Sequence, residues 1–321
     1  MRTKRLWLPL LLLGFVVLVV WTGLGRGEAS PQDNRIAIIM KTTDANSHYW
    51  QTVRSGALAA AKELEVALEL SGPLRSIDSD EQARLLEKAI EQRPRAIVLA
   101  PIDEDALAPQ LEEISRLGIR LIIMDTPLLH HRADSYVSSD HVEEGREAAG
   151  ILAPGRKTRP VYAFLTSDEK SPVAMQRRNG VLEALPAGSA YNLGMINVGK
   201  SEEQAYRTVK SLTAAYPGMN GIIALTDIGV AGAAKALKET GLSGSVKLIG
   251  FDSSVPEIQL LEQGAMHALI VQNPFNMGFL GVQAALDSSG GSATVDIPSA
   301  TITRANMYAP ENQKLLFPFV Y

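Results

Sequence analysis

Short apolar runs and stretches of helical periodicity alternate along almost the whole chain. Residues 36–40, 96–100 and 121–124 are unbroken apolar runs rich in Ile, Val and Leu, too short for helices and with the look of buried parallel strands; residues 67–70 are a weaker candidate. Between these runs apolar positions return every three or four residues. They are Val53, Ala57, Leu58, Ala61 and Leu64, then Leu85, Leu86, Ala89 and Ile90, then Leu107, Leu111, Ile114 and Leu117. Such spacing gives a helix one apolar face. Asp80 is expected to cap the second helix, Pro101 stops the third strand and Gly118 closes the third helix. Residues 135–139 read as a short crossing segment, and the alternation restarts at 161–165. Further strands are predicted at 195–198, 221–225, 246–251 and 268–271, with helices around Ala205, Val230 and Ile258 between them. A last helix over 275–286 and short strands at 294–297 and 300–303 follow. Strict β/α alternation predicts an α/β fold with parallel sheets covered by helices on both faces.

Two segments repeat one design. Arg120-Leu121-Ile122-Ile123-Met124-Asp125-Thr126 and Lys247-Leu248-Ile249-Gly250-Phe251-Asp252-Ser253 are both apolar strands that end on an acid and a small hydroxyl residue. The units before them, 97–118 and 222–241, share a plan of strand, Asp in a short loop, Ala/Leu-rich helix and terminal Gly. Ligands of open α/β sheets bind at the carboxyl ends of strands. Two such strands in two halves therefore predict two similar doubly wound lobes that present carboxylates to a shared cleft. At 321 residues the chain has room for two lobes, each of about 130–150 residues.

Composition narrows the chemistry. A net charge of -4 with no basic stripe argues against a nucleic-acid partner. The absence of cysteine removes disulfides, thiolate metal sites, cysteine nucleophiles and a lipid-modified cysteine, and five scattered histidines do not suggest a metal centre. No cofactor is expected. The loop after the first strand, residues 41–46, has no glycine, so it is not a dinucleotide fingerprint; a Gly-x-Ser-x-Gly elbow and a P-loop are also missing. The chain is expected not to be an enzyme.

At the N-terminus, Arg2, Lys4 and Arg5 precede an apolar stretch over 6–24. It has the make-up of a secretory signal, with Gly23-Leu24-Gly25 as a cleavage site, or of an uncleaved transmembrane anchor. Its length and the lack of Ala-x-Ala favour the anchor. Either way the bulk of the chain is expected outside the cytoplasm. Residues 26–34 read as a tether.

Candidate site residues sit at strand ends. Tyr49 and Trp50, at the start of the first helix, offer aromatic faces to a ring or a cover for the helix end. Asp125 and Asp252 either accept bonds from ligand hydroxyls or cap the next helices. At Thr226-Asp227 the acid is expected to be the cap and the hydroxyl to face outward. Gln272, before Asn273 and Pro274, both donates and accepts. Arg177 or Arg178 supplies a forked donor, the other being a solvated charge.

In these residues the chain resembles the sugar-binding, ribose-binding-protein-like (type I) branch of the periplasmic-binding-protein superfamily. The resemblance covers about residues 34–305. It rests on the order of elements, Asn46-Ser47-His48-Tyr49-Trp50, Leu121 to Asp125, Ser138-Ser139-Asp140, Gly250-Phe251-Asp252 and the crossing at Gln272. It implies Ser47, Tyr49, Trp50, Asp125, Thr226, Asp252 and Gln272 as ligand contacts. It also implies a three-segment hinge near Ser139-Asp140, Gln272-Asn273 and Ala300-Thr301. The lobes would then comprise 35–139 plus 273–300, and 140–272 plus 301–321. Met175 stands where ribose binders keep an arginine, Thr226 replaces an asparagine and Thr126 an arginine, so Lys41 or Arg177 is a candidate to supply the missing cation. The implied function is reversible binding of a monosaccharide or sugar-like polyol by a monomer. Delivery to an ABC transporter permease is one expected output; the other is reporting occupancy to a membrane sensor kinase or chemoreceptor.

Overall fold

The computed structural model describes residues 34–153, 159–185, 188–287 and 293–317. The signal or anchor expected over 1–25 lies outside them, as does the tether up to 33. Among the described residues no helix is long and apolar enough to cross a membrane.

In chain order the elements begin β1 (Arg35–Ile39), α1 (His48–Glu63), β2 (Ala67–Ser71), α2 (Ser79–Glu91), β3 (Ala96–Leu99), α3 (Glu104–Leu117), β4 (Arg120–Met124) and β5 (Ser135–Ser138). They continue α4 (His141–Leu152), β6 (Val161–Thr166), α5 (Pro172–Ala184), β7 (Tyr191–Asn197), α6 (Glu202–Ala215), β8 (Gly221–Ala224), α7 (Asp227–Glu239), β9 (Lys247–Phe251), α8 (Val255–Glu262) and β10 (Ala268–Val271). Last come α9 (Pro274–Leu286), β11 (Ala293–Asp296), β12 (Ala300–Ile302) and α10 (Pro310–Leu316).

The strands form two six-stranded sheets, ordered β11-β5-β4-β3-β1-β2 and β12-β10-β9-β8-β6-β7. Every pairing is parallel except that of β10 with β12. Both faces of each sheet are covered, and alternate residues of one strand serve different cores. Ile36 and Ile38 pack into one cluster while Ala37 and Ile39 pack into another on the opposite face. In each sheet the strand order reverses at the first strand, β1 or β6. Those reversals open a crevice at the carboxyl ends, so the loops after β1 and β6 are placed to meet a ligand.

The two sheets are interleaved along the chain. The chain passes from the first to the second between β5 and α4, back between β10 and α9, and across again between β11 and β12. Each of the first two crossings delivers a helix that docks on the first helix of the receiving lobe, α4 on α5 and α9 on α1. Reciprocal glycines permit both contacts. A Cβ on Gly278 would fall 1.9 Å from the Val53 carbonyl oxygen, and one on Gly56 1.9 Å from that of Phe275. In the other lobe Gly180 meets the Val142 carbonyl at 1.9 Å and Gly145 that of Arg177 at 2.0 Å.

Several local expectations change. Asp78, not Asp80, caps α2 by accepting from the Glu81 N–H, because the helix begins at Ser79 and Asp80 already lies inside it. Residues 135–138 are more than a crossing: they form a strand paired with β4. The strand expected at 195–198 starts four residues earlier, at Tyr191, where its pairing with β6 is irregular and the apolar pattern is correspondingly weak. Buried Gln82 donates to the Met40 and Ala100 carbonyls at 3.1 and 2.9 Å and accepts from the Ile102 N–H. It satisfies backbone groups just past two neighbouring strands, which burial would otherwise leave unpaired.

Gly278→Ala and Gly180→Ala are each expected to force their helix pair apart and lower stability by about 1–3 kcal/mol, read as a fall in the urea midpoint.

Candidate functional site

The two repeated acids adopt the same unusual backbone. Asp125 and Asp252 have φ of 66° and 64°, in the left-handed region that Asp tolerates better than most residues. Each donates its N–H to the next strand of its sheet, Asp125 to the Val137 carbonyl at 3.0 Å and Asp252 to the Ile270 carbonyl at 2.8 Å. The ladder therefore runs one residue past the strand before the left-handed turn ends it, leaving a carboxylate at each carboxyl edge.

Their surroundings then differ. Asp125 is 7% exposed, and Lys41 from the loop after β1 reaches its Oδ2 at 2.6 Å. Lys41 also donates to Thr126, whose hydroxyl donates to the same Oδ2 at 3.0 Å. On the other side Tyr49 OH stands 3.3 Å from both Asp125 Oδ1 and Gln272 Oε1, so its single proton serves one at a time. Burial pushes the Asp125 carboxyl up, but Lys41, His141 and the bonds from Lys41 and Thr126 outweigh it and hold it down at about 2. Burial, with Asp125 and Asp252 nearby, keeps the Tyr49 phenol well above its usual range, hence protonated.

Asp252 has no such partner. Its Oδ1 is buried without a hydrogen bond, and its Oδ2 lies 3.9 Å from the Arg177 guanidinium. Burial, joined by Glu144, Asp227 and Asp125, outweighs the opposing effect of Arg177 and raises the carboxyl to about 7. Arg177 is itself buried, lies 4.1 Å from the centre of the Phe251 ring and donates from Nε to Glu144 at 2.8 Å.

The cleft between the sheets is lined by Ser47, His48 and Tyr49 from the α1 side, and by Asp252, Ser253 and Ser254 from the β9 side. Gln272, on a crossing segment, closes its floor and accepts from Ser139 on another crossing at 3.2 Å. Ser47 is the N-cap residue of α1, yet its side chain makes no capping bond. The cleft volume is about 70 Å³, well below the about 300–1,000 Å³ usual for a small-molecule site.

Of the expected contacts Ser47, Tyr49, Asp252 and Gln272 line the cleft; Lys41, Asp125 and Arg177 are not among its lining residues but pack next to those that are, and two further candidates go elsewhere. Trp50 packs into the first lobe's core beside Val53 and Ala57, edge-on to Tyr49 at 5.2 Å, and does not line the cleft. Thr226 is the cap of α7, accepting from the Gly229 N–H at 3.3 Å, because its backbone is still extended; Asp227, expected to cap, is the first helical residue and lines the cleft. Of the two arginines, Arg177 is the buried one and Arg178 the more solvated. Sequence reasoning missed Glu257, His141 and Glu144. Glu257 completes a capping box with Ser254 and keeps one buried oxygen unpaired. The Ser-x-x-Glu spacing was a readable signal for it. His141 and Glu144 join Asp125 to Arg177, and their only signal was polar residues spaced for the buried stripe of α4.

Held at about 2 against an ordinary 3.8, the Asp125 carboxyl stabilises the folded chain by about 2 kcal/mol above about pH 4, a contribution lost as pH falls toward 2. Lys41→Met is accordingly expected to lower stability at pH 7 by about 2 kcal/mol, the gap to the parent closing as both are titrated toward pH 2 in urea melts.

A family model for the periplasmic binding protein domain matches residues 36–292. The D-ribose/D-allose-binding protein of Pseudomonas aeruginosa is 25% identical over 270 residues, covering 82% of this chain and 84% of that one. Among solved structures, a carbohydrate transporter solute binding protein from Agrobacterium radiobacter in complex with D-arabinose superposes with a TM-score of 0.78 at 28% identity, covering 88% of this chain and 98% of that one. An ABC transporter solute binding protein from Agrobacterium vitis with bound D-fucose gives 0.79 at 25%, covering 88% and 100%. The chain belongs to the periplasmic binding protein family, in the type I branch that includes the ribose- and allose-binding proteins.

Proposed function

We propose that this protein binds a neutral monosaccharide, or a closely related polyol, between its two lobes and delivers it to the permease of an ABC importer, outside the cytoplasmic membrane. The observation that supports this most is the pair of left-handed strand-end acids on the two sheets: Asp252 lines the cleft with one oxygen free of hydrogen bonds, and Asp125, saturated, reaches it through Tyr49. Asp125, fixed by Lys41 and Thr126, is a strut that holds Tyr49 in place. Asp252 has acceptor capacity to give to ligand hydroxyls, Gln272, Ser47 and Tyr49 line the same space, and Arg177 stands against Asp252. Neutral sugars are favoured because the charges are already matched at Asp125 and Glu144, and because the proteins this chain resembles are named for ribose and allose or hold D-arabinose and D-fucose in their structures.

Binding by closure follows from the cleft's size. A cleft of about 70 Å³ supports a reading in which the lobes part on the three crossing segments to admit a sugar and shut again once groups from both sides share it. The chain acts as a monomer and performs no reaction on its ligand; the apolar segment at 6–24 serves to export it and, uncleaved, to anchor it.

Thermal unfolding against pentoses, hexoses, deoxysugars and inositols is the direct test. A ligand at one hundred times its Kd is expected to add about 2.7 kcal/mol; no shift with any sugar or polyol overturns the reading. Asp252→Ala is expected to abolish that shift while leaving the fold intact.

Asp252→Asn has a second, opposite effect on the ligand-free chain. A carboxyl raised from 3.8 to about 7 costs stability progressively as pH climbs from about 4 to 7, because the unfolded chain ionises first. The variant is therefore expected to melt higher than the parent at pH 8 and level with it at pH 3.5, while failing to bind.

A further inference from the structure

Resting on the reading of the cleft as a sugar site, we infer that Glu144 is its positioning residue: it sets the plane of Arg177 against Asp252 and, through His141, ties that guanidinium to the strand end at Asp125 in the other lobe. Glu144 is wholly buried on the stripe of α4 that also buries Gly145 and Ala148. A carboxylate there is costly unless it is paired. Its Oε2 takes two partners, Arg177 Nε at 2.8 Å and His141 Nδ1 at 3.1 Å. A guanidinium is planar and rigid, so fixing Nε and seating the face on Phe251 at 4.1 Å leaves little freedom for the remaining N–H groups.

Those groups point toward Asp252 but stop at 3.9 Å, beyond a hydrogen bond. The cation and the acid therefore do not saturate each other. A single ligand hydroxyl can accept from Arg177 while donating to Asp252, and so use both. On its other side His141 turns Nε2 to the Asp125 carbonyl at 3.0 Å. A chain of hydrogen bonds from the Asp125 carbonyl through His141 and Glu144 to Arg177 thus crosses the first crossing segment and ends with the guanidinium 3.9 Å from Asp252. Arg177 places a cation against Asp252, which lines the cleft, a charge that Met175, 37% exposed, cannot provide.

Charge separates a positioning role from a purely structural one. Asp252 faces Arg177 from α5, Glu144 from α4, Asp227 from α7, Glu257 from α8, Asp125 from the end of β4 and the Tyr49 phenol from α1. Glu144 offsets the effect of Arg177 on Asp252. Glu144→Gln keeps the shape and leaves Arg177 unopposed, so the Asp252 carboxyl should titrate at lower pH.

The experiment is a carbon-13 NMR titration of Asp252 in the ligand-free protein, parent against Glu144→Gln and Glu144→Asp, followed by sugar titrations from pH 5 to 9. The expected result is an Asp252 midpoint displaced to acid in Glu144→Gln and restored in Glu144→Asp. Sugar affinity at pH 8 should fall at least about tenfold in Glu144→Gln, a loss of about 1.4 kcal/mol. An unmoved midpoint, or parental affinity, overturns the inference. Should Glu144→Gln fail to fold, Glu144→Gln/Arg177→Met removes both buried charges together; it is expected to fold and not to bind, and parental binding by it overturns the inference equally. A parent that binds no sugar refutes the functional reading instead, and the ligand-free titration still decides the role of Glu144.

Discussion

A carboxylate removed from water must find its compensation inside the protein, and most of the cleft is arranged around one such group. Asp125 sits at the seam between the lobes. Its side chain gathers Lys41, Thr126 and Tyr49, and its carbonyl accepts from Ser138 at 2.7 Å while facing His141 on α4. The loop after β1, the start of α1 and the first crossing segment are thereby referred to a single residue. A buried charge with directional partners need stabilise no more than apolar groups of the same shape would, but removing any one partner leaves it uncompensated, which suits a site whose walls come from distant parts of the chain.

The repeat makes the contrast with Asp252 informative. Backbone, strand position and ladder contact are the same in the two acids, and only the partners differ. One copy has a lysine at 2.6 Å; the other has an arginine at 3.9 Å and one oxygen without a bond. Duplicated scaffolding has thus acquired two electrostatic roles, a fixed support on one wall and a reserve of bonding capacity on the other. The second role costs stability in the empty protein, as expected where local strain or unmet polarity is kept for function.

The sequence revealed what depends on local pattern. Buried strands, covering helices and the matched acids follow from runs of four or five apolar residues and from helical spacing, and the glycines after α3 and α7 are visible as stops. What it hid depends on angle and on distance along the chain. Adjacent helical residues point about 100° apart, so Tyr49 and Trp50 could not both face the cleft, and nothing in their order says that Trp50 is the one turned into the core. At Thr226-Asp227 the cap is whichever residue keeps an extended backbone, a one-residue distinction that composition does not carry. Glu144 reads in isolation as one more acid of a surface helix, because the arginine that accounts for its burial lies 33 positions away. Gln82 is the same case, its acceptors 42 and 18 positions distant.

The exchanged helices bear on how the molecule comes apart. Because α9 arrives from the second sheet to seat on α1, and α4 leaves the first to seat on α5, each lobe borrows the continuity of the other through backbones packed closely enough to exclude a methyl group. Melting either lobe releases a helix from one tightly fitted groove and unmoors the chain leading to the other. Two bodies that look separable in outline are therefore interlocked, and no single cut in the chain releases the two of them as separate, whole pieces.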